Sequence, residues 1–170
     1  MPLPIPFLVV LGLALAWATV CDLRRRRIPN VVTGPLLLLG LVARGFVLGP
    51  SAALSGLAAA VIVILALYVP WSSGGIGGGD VKLAAATSAW LGLGNLIVFA
   101  LATAAAGGAV AALCYVLARP AARAEVRANV TLAVLQGELP PVPSHRAGHL
   151  SVPYAVAIAA GAAIACFVTH

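Results

Sequence analysis

Long apolar runs, parted only by turn residues, leave this chain few ways to fold. Ile5 to Val20, Ala52 to Val69 and Leu96 to Leu117 carry no charge, and Val31 to Leu48 carries only Arg44. Asp80 to Leu93 is a shorter run, and Val152 to Val168 closes the chain. Roughly 20 such residues cross a bilayer as a helix. Hydrophobic residues make up 62% of the 170 and charged residues 8%, and no soluble domain of this size has core enough to hide them. The expected fold is all-α: a polytopic integral membrane protein with six transmembrane helices, its N-terminus outside, forming one membrane-embedded domain over residues 1–170.

The basic residues orient it. Arg24 to Arg27 follow the first run, while Arg119, Arg123, Arg127 and Arg146 share the one long polar connection, Arg119 to Leu150. Positive charge favours the cytoplasmic side, and six spans place both groups there, with Lys82 at the cytoplasmic rim. Arg44 falls near the outer face, where its side chain can snorkel. No Lys or Arg precedes Ile5, as a signal peptide would require, so the first run is read as a retained helix. The net charge of +6 is too local for a nucleic-acid face, and no nucleic-acid partner is expected. Pro120 to Gln136 reads as a helix lying on the membrane.

Only four acids occur: Asp22, Asp80, Glu125 and Glu138. Asp22 ends the first run before the arginines. Asp80 closes Gly74-Gly75-Ile76-Gly77-Gly78-Gly79-Asp80, the one glycine-dense stretch, and opens the short fourth run. A carboxylate at the edge of the hydrocarbon region is costly and so points to function. The glycines, lacking Cβ, let a second backbone or a substrate come close. The bland alternatives are a flexible turn with a capping Asp80 and an Asp22 that pairs with its neighbouring arginines. Counting spans from the arginines nonetheless brings Asp22 and Asp80 to one side at similar depth.

Two nearby carboxylates in a low dielectric share a proton. The ionised one can take a proton from water while the neutral one protonates a carbonyl oxygen, as in aspartic proteases. This chemistry needs no metal, and no cofactor is expected. His145 and His149 are the only pair that invites a zinc reading, and as loop residues they are poor ligands. Cys21, Cys114 and Cys166 form no C-x-x-C pair and read as small apolar side chains.

Gly77-Gly78-Gly79-Asp80 has the form Gly-x-Gly-Asp. Asp22-Leu23-Arg24-Arg25-Arg26-Arg27-Ile28-Pro29-Asn30 precedes it, and Val152-Pro153-Tyr154-Ala155-Val156-Ala157-Ile158-Ala159 opens the last run. In that order on a six-span chain, these pieces resemble the type IV prepilin peptidases, a branch of the Gly-x-Gly-Asp intramembrane aspartyl proteases. The resemblance implies Asp22 and Asp80 as the catalytic aspartates. Gly77, Gly78, Gly79, Lys82, Pro29 and Asn30 are then expected to shape the site or meet substrate. It implies an endopeptidase of the cytoplasmic (inner) membrane, its site facing the cytoplasm. Its substrates would be prepilins whose leader precedes a hydrophobic N-terminal helix.

The paired C-x-x-C motifs of the family's methyltransferase region do not occur, so the chain looks like the short form of tight-adherence (Flp-type) pilus systems, without methylation. Ala155 stands where this family leads one to expect Gly. The competing class is a non-enzymatic transporter or pilus-assembly scaffold. A transporter would carry its acids near the midplane and show an inverted repeat.

Overall fold

Gly78–Leu91 is only 14 residues long, about 21 Å of helix, yet ten of those residues are buried. In the computed structural model, which describes residues 3–25, 28–136 and 154–168, this short helix is the centre of the molecule. The described elements are α1 (Ile5–Arg25), α2 (Asn30–Leu48), α3 (Pro50–Ser72), α4 (Gly78–Leu91), a 3-10 turn (Leu93–Asn95), α5 (Leu96–Leu117), α6 (Pro120–Gln136) and α7 (Tyr154–Val168). None of the described residues lies in a strand. The protein is an all-α membrane protein. α1, α2, α3 and the stretch from Leu93 to the end of α5 are each long and apolar enough to cross a bilayer, and α7 is a shorter apolar helix.

Small side chains make α4 fit for its place. Ala84, Ala85, Ala86 and Ala89 let α2, α3 and α7 close around it. Its buried hydroxyls are satisfied within the helix: Thr87 Oγ1 donates to the Leu83 carbonyl and Ser88 Oγ to the Ala85 carbonyl, each at 2.8 Å. Trp90 Nε1 donates to the Leu36 carbonyl of α2 at 2.8 Å, and its ring lies on Gly40, where any Cβ would collide with it. Gly56 of α3 meets the Ala89 carbonyl of α4 in the same way. The outer helices turn large apolar side chains outward, Phe46 at 89% exposure and Phe167 at 85%, as lipid-facing surfaces do.

Arg44 does not snorkel. Its Nε donates to the Ala52 carbonyl at 3.0 Å, and its Nη1 donates to the carbonyls of Trp90 (2.9 Å) and Leu91 (3.2 Å). Four-residue ladders leave the last carbonyls of a helix unpaired, and a cation there also meets the favourable end of the dipole. Gly92, at φ +73°, leaves room for the guanidinium. Arg44 thus ties the end of α4 to the start of α3. Arg44→Met is expected to cost about 1–3 kcal/mol of stability, read as a lower thermal midpoint in detergent. Arg44→Lys should recover only part of it, because an ammonium lacks the planar fork; an unchanged midpoint for Arg44→Met would remove the clamp.

Several boundaries differ from the sequence reading. α1 continues through Asp22 to Arg25, so Asp22 lies inside the last turn instead of ending it. Leu and Arg are good helix formers, and Arg24 and Arg25 complement the C-terminal dipole. α3 carries Pro70 within it and runs to Ser72. α4 begins at Gly78, not Asp80, with Gly77 as N-cap, so two of the glycines are helical. α6 is a helix as expected; Arg127 Nε donates to Tyr115 Oη at 2.8 Å, and Arg123 Nε to the Ala118 carbonyl at 2.8 Å. Arg26, Arg27, Glu138, His145, Arg146, His149 and Val152-Pro153 lie outside the described residues, as does the side chain of Glu125.

Candidate active site

Asp22 continues the buried stripe of α1. Leu11, Leu15 and Ala18 are the buried residues of that helix, and Asp22 lies 11, seven and four positions beyond them, spacings that keep it on one helical face. The stripe therefore points its last member inward. Asp22 Oδ2 accepts a hydrogen bond from the Ala155 N–H, in the first turn of α7, at 3.4 Å. Arg24 and Arg25 are exposed, and among the described residues no ion pair joins them to Asp22. The pairing expected of a surface carboxylate is thus replaced, for these two arginines, by a contact with α7.

Asp80 is the third residue of α4, and the glycines before it decide where it sits. A Cβ on Gly79 would stand 3.1 Å from Ile28 Cβ and 3.5 Å from its backbone nitrogen. Gly79 thus lets the start of α4 settle on the connection that leaves α1. A Cβ on Gly77 would stand 2.8 Å from Asp80 Oδ2, because the carboxylate folds back over the Gly77 backbone. This is half of a capping box, with the N3 acid reaching towards the N-cap amide. Gly78 meets the Trp71 ring, its added Cβ 3.0 Å from Nε1. Lys82 Nζ donates to Asn30 Oδ1 at 3.0 Å, which ties the first turn of α4 to the start of α2, whose N-cap is Pro29.

Among the described residues, the fold brings Asp22, Pro29, Asn30, Gly77, Gly78, Gly79, Asp80 and Lys82 to one end of the bundle. Asp22 and Asp80 come from different helices and are brought to the same end of the bundle: Ile28, just past α1, packs on Gly79, and Ala155, which bonds Asp22, follows Tyr154, which lines one cavity with Asp80. Asp80 Oδ1 is buried and has no hydrogen-bond partner among the described residues, an expensive state for an ionised oxygen. Gly77, Gly78 and Gly79 hold the approach, and Asn30 and Lys82 close the rim. A buried carboxyl that lines an apolar cavity can give a proton to, or take one from, a molecule that enters it.

A model of the type IV leader peptidase family matches residues 9–112, more than half of the chain. The chain belongs to that family. The match includes Asp22, the glycine stretch and Asp80, and leaves out α6 and α7. No curated relative and no solved structure matches it. A type IV leader peptidase function follows from membership in general terms, as does an apolar, multi-pass setting from the helices.

Other residues around Asp80 belong to no motif. A cavity of about 440 Å³ runs from Asp80 between α3, α5 and α7, past Leu67, Phe99, Ala104, Gly108 and Tyr154. Its walls are almost wholly apolar, Asp80 being the one charged group among the lining residues. Gly107 packs on Ala157 and Gly161 on Thr103, which brings α5 against α7. Gly108 has nothing near its missing side chain and leaves the cavity open. The signal for Gly107-Gly108 was visible as a site of close helix contact, but only one of the two serves that role.

Proposed function

We propose that the protein is an aspartic-type endopeptidase that removes the leader of type IV prepilins at the cytoplasmic face of the inner membrane, with Asp22 and Asp80 as its catalytic pair. One observation carries the reading: two of the chain's four acids, 58 positions apart in sequence, are brought to one end of the bundle, Asp22 bonded to Ala155 at the start of α7 and Asp80 lining an apolar cavity beside the adjacent Tyr154. The ionised carboxylate takes a proton from a water as its oxygen bonds to the scissile carbonyl carbon. The neutral carboxyl gives its proton to the carbonyl oxygen. Collapse of the tetrahedral adduct breaks the C–N bond, and the leaving amine takes a proton from the pair.

The apolar cavity suits the hydrophobic helix that follows a prepilin leader, and small residues on α5 permit close approach of a second helix. Arg24 and Arg25 at the same end of the bundle as the aspartates support a cytoplasmic site by the positive-inside rule. Within the family, the Flp-type systems are the proposed setting, with the prepilin as partner, the bilayer as surroundings and no methylation. The whole chain is read as one membrane-embedded domain of six spans, with α4 as the short one.

Incubating membranes that contain the protein with candidate prepilins tests this directly, leader loss being read as a mobility shift on a gel. Gly108→Leu is the sharper form of the test. Its side chain enters open space within the cavity, so abundance and thermal midpoint should stay near wild type while the KM for prepilin rises, by roughly tenfold for a loss of about 1.4 kcal/mol of binding. Unchanged KM would mean that the substrate helix lies elsewhere.

A further inference from the structure

Two side chains of α1 reach the backbone of one residue in the first turn of α7. Thr19 Oγ1 donates to the Ala155 carbonyl at 3.4 Å, and the Ala155 N–H donates to Asp22 Oδ2 at 3.4 Å. Thr19 and Asp22 lie three positions apart, one helical turn, and so present neighbouring side chains on one face of α1. Both backbone polar groups of Ala155 therefore meet side chains of α1. The Ala155 side chain itself is fully buried, as are those of Ala18 on α1 and Ala157 on α7, so small side chains bring the two backbones together. A Ser or Thr hydroxyl inside a helix ordinarily turns to the carbonyl four residues back. Thr19 instead reaches across to another helix.

We propose that Thr19 is a positioning residue for the leader-cleaving reaction, acting through the Ala155 backbone to hold Asp22. The inference rests on the reading of Asp22 and Asp80 as the catalytic pair. The first amides of a helix have no partner within it, and they carry the positive end of its dipole. An Asp22 carboxylate held at the first turn of α7 gains an oriented donor for one oxygen, which leaves the other oxygen for water. Thr19 fixes where that donor stands, because its hydroxyl grips the carbonyl of the same residue that offers the N–H. Losing the hydroxyl leaves Asp22 in place chemically but frees α7 to shift against it. Asp22 has no second tether among its described contacts, whereas the Asp80 carboxylate folds back over Gly77, the N-cap of its own helix. The effect should therefore fall mainly on turnover, since no residue of α1 lines the cavity, whose walls come from α3, α4, α5 and, on α7, Tyr154 and Ile158.

The test uses the full-length protein in membranes and a prepilin that the wild-type protein cleaves. Thr19→Val keeps shape and branching while removing the hydroxyl; Thr19→Ser keeps the hydroxyl and removes the methyl. The expected result is a kcat for Thr19→Val lower by roughly fivefold, the equivalent of one modest hydrogen bond, with KM within twofold and kcat recovered in Thr19→Ser. Rates are taken per molecule of folded protein, measured by detergent-extracted abundance, so that a loss of protein is not counted as a loss of turnover. A Thr19→Val protein with wild-type kcat overturns the inference, and so does a Thr19→Ser protein as slow as Thr19→Val, since packing of the methyl would then be the cause. Asp22→Asn in the same assay separates the two levels of the argument. If Asp22→Asn is inactive and Thr19→Val is unimpaired, only the positioning role falls. If Asp22→Asn cleaves normally, the catalytic pair falls and the role of Thr19 with it.

Discussion

Asp22→Asn and Asp80→Asn are each expected to abolish leader cleavage, lowering the rate by roughly 10²–10⁴-fold, while the protein still accumulates in the membrane. Asn keeps an oxygen that can accept the Ala155 N–H, so the α1 to α7 contact at Asp22 survives the substitution. What disappears is the group that titrates. The double variant should be no slower than either single one, because members of a catalytic unit are not additive. Asp→Glu at either position should also fail, since an added methylene moves the carboxylate by more than the geometry of attack tolerates. Gln at Glu125 and at Glu138 provides the control and should leave cleavage close to wild type. The competing account, in which Asp22 serves the surface charges around it, forecasts a loss of only about 0–1 kcal/mol for Asp22→Asn. Leader loss at equal protein abundance separates the two accounts, and near-normal cleavage by Asp22→Asn would refute the catalytic pair.

Gly79→Val should lower cleavage by roughly 10²-fold, the scale of a displacement of about 1 Å at a reacting group. A Cβ there already presses on Ile28 at 3.1 Å, and two γ-methyls add to it. The start of α4 must then back away from the connection that leaves α1, taking Asp80 from Asp22. Gly77→Val acts more locally, since its Cβ would stand 2.8 Å from Asp80 Oδ2 and would turn the carboxylate off the backbone amide. Gly94→Ala is the matched control: nothing lies near its missing Cβ, and its φ is not positive. Equal cleavage by Gly79→Val and Gly94→Ala would reduce the glycine stretch to a linker. The remainder of α4 is anchored at its far end by Arg44 and Trp90, so these substitutions should spare folding more than function.

Much of the fold was legible along the chain because a bilayer imposes a simple rule: apolar runs of sufficient length become helices. α5 has the bounds its sequence suggested, Leu96–Leu117, and α6 is a helix from Pro120 to Gln136 as read. Helix ends were less legible, because a Pro such as Pro70, or an acid such as Asp22, looks like a terminus until neighbouring turns supply its partners. Asp22 and Asp80 stood out in the sequence because carboxylates are scarce and expensive beside hydrocarbon, and the glycines before Asp80 announced a close approach. What made that approach was not legible. Ile28 against Gly79, Ala155 against Asp22 and Thr19, and Arg44 on the carbonyls of α4 each join residues far apart in the chain, and no local pattern encodes which helices become neighbours. The central place of α4 belongs to the same class. Composition alone marks it as short and rich in Ala, but only the packing of α2, α3 and α7 around it explains why a helix too short to span about 30 Å can be the core of a membrane protein: its flanks are covered by other helices, and its last carbonyls are held by Arg44 of α2.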